Sequence, residues 1–414
     1  MIRVWRGFHS EELSTFIQQS WTGDDLLIVC PPGLKSFDFF EHLPTGQIQM
    51  VGDWTDAPVQ PSKAQLAKAG KRGSISYPAA PILGVFTSGT VSGSPRLVLY
   101  SKENVEFALK GIRSYFDTSR FDTLFCYPQP FHTFGLVLGY VHAALYGLRL
   151  VTGRGRYSQS FHRERAELRK SSVLTLGTPT HFHDLLSYSR SERVALEPSY
   201  SCIIGGAKVF VSLWREIRDS LKIEAPTIGY GATEACPGVT HQSPGLMPLE
   251  TGEIGTVIPG VSVMLKPGEG LEFSGPGVCL AIIEKGSIEF PKKILLRDDV
   301  RLRDDGILIY EGRTDLVLNR GGMKFSLERM EEKIRHEVGV EALCVPVPHE
   351  RLGEELGILV QGARLQFNKT DIYAVLQKEF GQKFDGERFK EVERFPLNES
   401  LKIDRKRSAE LFLA

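Results

Sequence analysis

Residues 82–100 read ILGVFTSGTVSGSPRLVLY. The apolar run Ile82–Phe86 is strand-like, the segment that follows is rich in glycine and hydroxyls, and Leu97–Tyr100 is apolar again, so the stretch predicts a hairpin. Moving outward, Ser101 is placed to cap a helix whose apolar residues Val105, Ala108, Leu109, Ile112 and Phe116 have helical spacing. Strands then alternate with helices. The pattern predicts strands at Thr123–Tyr127, Arg149–Thr152, Val173–Leu176, Ser201–Ile204 and Pro226–Gly229. Helices are expected at Phe134–Tyr146, Phe161–Lys170, Thr180–Ser189 and Val211–Leu221. Such alternation implies an α/β fold with mostly parallel sheet layers covered on both faces. From Gly252 to about Gly312 the texture becomes short strands and Gly/Pro turns, a β-rich subdomain. The last hundred residues, with helices at Ser326–Val338 and Lys369–Phe380 and strands near Leu343–Val347 and Gly357–Val360, predict a small, mobile α+β domain. The expected domains are 1–314 and 315–414.

Composition narrows the function classes. The chain has 414 residues, 42% hydrophobic and 24% charged, as an ordinary globular protein has. Fifty Lys+Arg against fifty Asp+Glu give zero formal charge, which argues against nucleic acid or an anionic membrane as the partner. The six cysteines show no metal or disulfide spacing, and free thiols suit a reducing cytosol, so a cytoplasmic location is expected. Met1–Ser20 lacks the apolar core of a signal peptide. Phe134–Leu148, the most apolar stretch, carries His142 and is short for a bilayer, so it is expected as a helix buried against a sheet.

Open parallel sheets bind ligands beyond the carboxyl ends of their strands. Five predicted strand ends carry unusual chemistry: Thr87–Arg96, Pro130-Phe131-His132, Gly177-Thr178-Pro179, Gly205-Gly206-Ala207 and Tyr230-Gly231-Ala232-Thr233-Glu234. The first has what a phosphate cradle needs, namely close-approach glycines, hydroxyl donors and a cation at Arg96. Read alone it suits a flexible hairpin equally, and it is not a G-x-x-x-x-G-K-[ST] loop. Tyr230–Glu234 combines a flat aromatic, a close-approach glycine, a hydroxyl and a carboxylate. A carboxylate beside phosphates is unfavourable without a cation between them, so Glu234 implies Mg²⁺ if phosphates bind here. An N-cap turn is the plain alternative. Asp298 alone reads as a solvated acid, Asp304-Asp305-Gly306 as a hairpin turn, and Lys402 as a solvated tail lysine.

Taken in order, these pieces resemble the acyl-adenylate-forming superfamily of acyl- and aryl-CoA synthetases, peptide-synthetase adenylation domains and firefly luciferase. The family's T-S-G-T-T-G-x-P-K-G is similar to Thr87–Arg96, and its Y-G-x-T-E stands intact at Tyr230–Glu234. Its G-D, D-G and G-R-x-D are matched by Asp298, Gly306, Gly312, Arg313 and Asp315. Its G-G-x-K is matched by Gly321, Gly322 and Lys324, and its closing G-K-I-D-R by Leu401–Arg405. The resemblance runs from about Ile82 to Phe412. It departs in three places: Arg96-Leu97 stands for Lys-Gly with one extra loop residue, Arg297 stands for the Gly before Asp298, and the short stretch before Thr87 implies a trimmed first subdomain.

The resemblance implies a carboxylate attacking the α-phosphorus of ATP, followed by a thiol, usually coenzyme A, displacing AMP. It implies roles accordingly. Thr87, Ser88, Gly89, Thr90 and Arg96 would hold the outer phosphates. Tyr230, with Gly231 beside it, and Gly206-Ala207 would sandwich the adenine. Thr233 would contact the α-phosphate, and Glu234 would bind Mg²⁺. Asp298, with Arg313, would take the ribose. His132, Thr133 and Phe134 would line the acyl pocket, Asp315 would be the hinge, and Gly321, Gly322 and Lys324 would lie on the coenzyme A side. Lys402 would neutralise charge in the first step. The expected function is therefore an ATP-dependent acid–CoA ligase using ATP, Mg²⁺, coenzyme A and a carboxylic acid, with o-succinylbenzoate as one candidate and a homodimer among the assemblies allowed. The alternatives are a ligase loading a carrier protein or an amine, and a non-catalytic nucleotide-binding relative.

Overall fold

The computed structural model describes residues 1–67, 75–87, 96–152, 172–191, 199–362, 367–398 and 402–413. The predicted helix at 161–170 lies outside them. The chain divides into two compact units. One comprises Met1–Met264, Glu272–Leu296 and Arg301–Tyr310, and the other Leu265–Leu271, Arg297–Val300 and Glu311–Ala414.

In the first unit, strand Pro81–Thr87 is buried along its whole length, as a strand covered on both faces must be. It pairs antiparallel with Arg96–Ser101, with Thr87 opposite Arg96. Ser101 then caps helix Lys102–Arg113. Its hydroxyl accepts from Asn104 N, and the Asn104 side chain accepts from Ser101 N. The Asn104 amide also donates to the carbonyls of Pro276 and Val278 at 2.8 and 2.9 Å. One short polar side chain thus fixes the helix start and ties it to a distant loop.

Two sheets organise this unit. The first runs Ser287–Glu289, Ala281–Glu284, Arg96–Ser101, Pro81–Thr87, Leu26–Cys30, Ile2–Arg6, Ile48–Gly52. Its last four strands are parallel. Within this unit the second runs Glu253–Val257, Gly238–His241, Ile223–Gly231, Ser199–Ile204, Val173–Gly177, Thr123–Cys126, Arg149–Thr152. Its last five strands are parallel. The β-rich stretch after Gly252 is divided: Ala281–Glu284 and Ser287–Glu289 extend the first sheet, Glu253–Val257 the second, and Ser262–Lys266, Gly270–Ser274 and Lys293–Leu296 form a three-stranded sheet of their own. The turn at Asp304-Asp305-Gly306 is a hairpin, closed by Arg303 N donating to the Ile307 carbonyl at 2.9 Å.

Helix Phe134–Tyr146 has wide π-type turns through Val141 and α turns afterwards. Gly135–Val141 are all buried, and Leu136, Val137, Leu138 and Tyr140 share a core with Leu124, Cys126 and Leu176 of the sheet. Among the described residues no helix is long and apolar enough to cross a membrane. All six cysteines are buried and unbridged.

The second unit carries a sheet of Met323–Ser326, Val317–Arg320, Gly353–Gln361 and Ala342–His349, with Phe389–Val392 parallel to Gly353–Gln361. Helices Leu327–Val338 and Lys369–Phe380 supply Met330, Ile334, Ile372 and Leu376 to a core with Leu318, Cys344, Leu356 and Ile358.

Candidate active site

The five parallel strands of the second sheet bring their carboxyl ends to one side, and the loops with unusual chemistry follow from that. Gly205 N donates to the Gly177 carbonyl at 3.1 Å, joining two strand ends directly. The Phe134 ring lies against Gly205, about 3.4 Å from where a β-carbon would sit there. Gly206 and Ala207 are exposed beside it. Thr178 N donates to His181 Nδ1 at 3.0 Å. Burial, with the charge of His9 adding to it, lowers the His181 imidazole to about 4, so the ring is neutral and Nδ1 is free to accept.

Strand Arg96–Ser101 faces this rim with every second residue. Arg96 and Tyr100, four apart, project to the same face of the pleat, and both reach the segment after Ile223–Gly231. Arg96 Nη2 donates to Glu234 Oε1 at 2.7 Å. The Glu234 side chain is 9% exposed and that of Arg96 32%. Tyr100, fully buried, donates its hydroxyl to the Thr233 carbonyl at 2.6 Å. Burial pushes its phenol well above the ordinary value, so the group is a neutral donor. Its oxygen lies 3.4 Å from Thr133 Oγ1. Thr133 is buried, while His132 and Phe134 on either side of it are half-buried.

The structure therefore brings Thr87, Arg96, Thr133, Thr233 and Glu234 together. The strand register sets Arg96 opposite Thr87. Ser88, Gly89 and Thr90 lie outside the described residues. The close approach expected of Gly231 is made to the chain itself: a β-carbon there would stand 1.5 Å from the Pro237 carbonyl oxygen. Tyr230 stacks at a tilt on Tyr310, ring centres 6.3 Å apart. Tyr100 is the site residue the sequence reading missed. Its signal was present, as a polar-tipped aromatic in an apolar strand four residues from Arg96.

Among the described residues no group of three His, Cys, Asp or Glu side chains forms a metal cage. Mg²⁺ on a nucleotide takes one or two protein carboxylates and keeps its other ligands as phosphates and water. The single buried carboxylate of Glu234 fits that donor set, and one of its oxygens is engaged by Arg96.

The remaining expected residues lie in the second unit. Arg313 grips Asp315 with two bonds of 2.7 Å and reaches Asp298 at 3.4 Å. Asp298 is itself buried. Gly321 and Gly322, both at positive φ, close a two-residue hairpin between Arg320 and Met323, the turn that favours glycine at both places. Lys324 is exposed next to it. Lys402 is exposed too, and Asn398 N donates to its carbonyl at 2.8 Å. Arg405, three residues on, binds both oxygens of Glu331 at 2.5 and 2.8 Å and the Cys344 carbonyl at 2.8 Å. That pair anchors the Lys402 segment to its own unit.

A family model described as AMP-binding enzyme matches residues 37–279. An acyl-CoA ligase of Ajellomyces capsulatus is 28% identical over 298 residues, 66% of this chain and 50% of that protein. A mitochondrial medium-chain acyl-CoA ligase of Danio rerio is 27% identical over 297 residues, 67% of this chain and 48% of its own length. The chain spans about half the length of the curated relatives it matches. Among solved structures, the Bacillus subtilis o-succinylbenzoate CoA synthetase bound to its acyl-adenylate superposes with a TM-score of 0.76 at 15% identity, covering 98% of this chain and 87% of the other. An ATP-bound enzyme of Rhodopseudomonas palustris gives 0.73 at 17%, covering 99% and 89%. At such identities the likeness is one of fold. It extends over nearly the whole chain, further towards the N-terminus than the start at Ile82 drawn from the motifs.

Proposed function

The chain belongs to the AMP-binding enzyme family, and from that premise we propose that it is an ATP-dependent acid–thiol ligase acting through an acyl-adenylate. The observation that carries the reading is the convergence on Thr233-Glu234. A cation, a buried carboxylate and three hydroxyl-bearing residues, drawn from the strand Arg96–Ser101, the segment at Thr133 and the turn Thr233–Ala235, meet beside the carboxyl ends of a parallel sheet. A triphosphate needs cationic and hydroxyl partners, and a carboxylate among them suits a divalent cation rather than a bare anion.

In this reading a substrate carboxylate oxygen bonds to the α-phosphorus of ATP, and the bond to pyrophosphate breaks. Arg96 neutralises charge on the departing pyrophosphate, and Thr233 contacts the α-phosphate. Mg²⁺, held through Glu234, would screen the phosphates from that carboxylate. A coenzyme A thiolate then attacks the acyl carbonyl, and AMP leaves. Motif position assigns the ribose hydroxyls to Asp298, the coenzyme A side to Gly321, Gly322 and Lys324, and charge stabilisation in the first step to Lys402.

The test is acid-dependent exchange of labelled pyrophosphate into ATP across aryl, fatty and short acids, o-succinylbenzoate included. Coenzyme A, a carrier protein and simple amines are then offered as acceptors. Exchange with at least one acid, completed by coenzyme A, is the expected result. Nucleotide binding without exchange for any acid would make the chain a binder and not a ligase.

A further inference from the structure

Tyr100 is buried in an apolar core, where phenylalanine would pack as well, yet it keeps a hydroxyl. A buried hydroxyl is unfavourable unless its hydrogen bonds are made. Here the Tyr100 O–H donates to the Thr233 carbonyl at 2.6 Å. With its proton committed, its oxygen can only accept from Thr133 Oγ1, 3.4 Å away. The chain Thr133→Tyr100→Thr233 spans two loops. Thr133 follows His132 and precedes helix Phe134–Tyr146, on the side read as the acyl pocket. Thr233 opens the short turn Thr233–Ala235 that presents Glu234 to Arg96. The same turn is closed by Cys236 N donating to the same carbonyl at 3.2 Å, so Tyr100 bonds the atom on which the turn pivots.

We propose that Tyr100 is a positioning residue for adenylation, its hydroxyl setting the acid-side loop and the Thr233-Glu234 turn at a fixed separation. The inference rests on the ligase reading above. Adenylation joins an atom of the acid to an atom of the nucleotide, so it is sensitive to that separation in a way that binding either ligand alone is not. Misplacement of reacting groups by about 1 Å lowers rate on the order of 10²-fold. Arg96, on the same strand, holds the side chain of Glu234, whereas Tyr100 holds the backbone of Thr233. The two are therefore separable by mutation.

The experiment compares wild type, Tyr100→Phe, Thr133→Val and the double variant in the full chain. It reads kcat and KM for acid-dependent pyrophosphate exchange, AMP affinity by calorimetry, and Tm. Tyr100→Phe keeps the ring and its packing. It should lower kcat for exchange roughly 10-fold to 100-fold, leave AMP affinity within about threefold, and shift Tm by no more than about 4 °C. Thr133→Val should lower kcat less, and the double variant should be no slower than Tyr100→Phe, since both remove one chain. A Tyr100→Phe enzyme with wild-type kcat overturns the proposal. So does a loss that tracks Tm and AMP affinity alike, which would mark a packing role. If Tyr100→Phe does not fold, Thr133→Val decides alone: unchanged kcat refutes the link. Wild type inactive with every acid removes the ligase reading and this role with it, whereas an active wild type with an indifferent Tyr100 removes this role only.

Discussion

Replacing Arg96 by alanine separates what the guanidinium does for the fold from what it does for the reaction. Its Nη2 is 2.7 Å from Glu234 Oε1, and the carboxylate side chain is 9% exposed against 32% for the arginine. Removing one partner of a fully buried pair is destabilising by about 3–5 kcal/mol, and an exposed pair contributes at most about 1 kcal/mol. With one partner buried and the other a third open to water, the expected loss is about 2 kcal/mol, read as a lower urea midpoint with unchanged slope. Charge-assisted hydrogen bonds of this strength, transferred to phosphate oxygens in the transition state, correspond to roughly 10-fold to 100-fold in rate. Arg96→Ala should therefore raise the KM for ATP and slow pyrophosphate exchange by about that factor. Arg96→Lys keeps the charge as a point donor and should recover much of the rate. A third reading comes from the metal. In the proposed reading the guanidinium and a divalent cation share one carboxylate, so Arg96→Ala should bind Mn²⁺ more tightly than wild type in the absence of nucleotide, by electron paramagnetic resonance. An alanine variant with wild-type midpoint, KM and Mn²⁺ affinity would refute the pairing and the role built on it.

Three further outcomes follow from particular contacts. Lys402→Ala should slow acyl-adenylate formation by about 10²–10³-fold while supplied acyl-adenylate still goes to thioester at near wild-type rate; equal loss in both half-reactions sinks its assignment to the first. Gly231→Ala would place a β-carbon 1.5 Å from the Pro237 carbonyl oxygen. Backbone cannot yield that far cheaply, so the loss should exceed the ~1–3 kcal/mol usual for overpacking, and a variant as stable as wild type in urea would contradict the contact. His241 and His181 are held at about 4, chiefly by burial, against an ordinary imidazole value of 6.5. Between those values the unfolded chain binds more protons than the folded one, so stability is full above about pH 6.5 and is lost as pH falls towards about 4. The urea midpoint should accordingly drop from about pH 7 to about pH 5, and His241→Phe should flatten the drop; a pH-independent midpoint would count against neutral buried rings.

Features set by local chemistry could be read from residue order alone. The two paired strands around 82–86 and 97–100, the Ser101 cap, the Gly321-Gly322 hairpin and helix Lys369–Phe380 were legible because periodicity, capping and turn preference act within a few residues. The proposed site motifs at Thr87, Tyr230–Glu234 and Gly321-Gly322-Lys324 stood out for the same reason, each being a short run with its own chemistry. Tertiary structure decided the rest. Ile2–Arg6 is a strand inside a sheet although two of its five residues are arginines. Arg6 is 8% exposed because its guanidinium donates to the carbonyls of Pro32, Asp53 and Asp56, partners no local pattern announces. The β-rich stretch after Gly252 gave no sign of which of three sheets each strand would join, because a strand's partner is chosen by the register of the whole sheet. The contact between Arg96 and Glu234 spans 138 residues, and that between Tyr100 and Thr233 spans 133. Both exist because Arg96–Ser101, third of the seven strands of its sheet, turns Arg96 and Tyr100 towards the Thr233–Ala235 turn that follows Ile223–Gly231. Spacing along a chain carries no information about a distance closed only when two separate sheets are packed together.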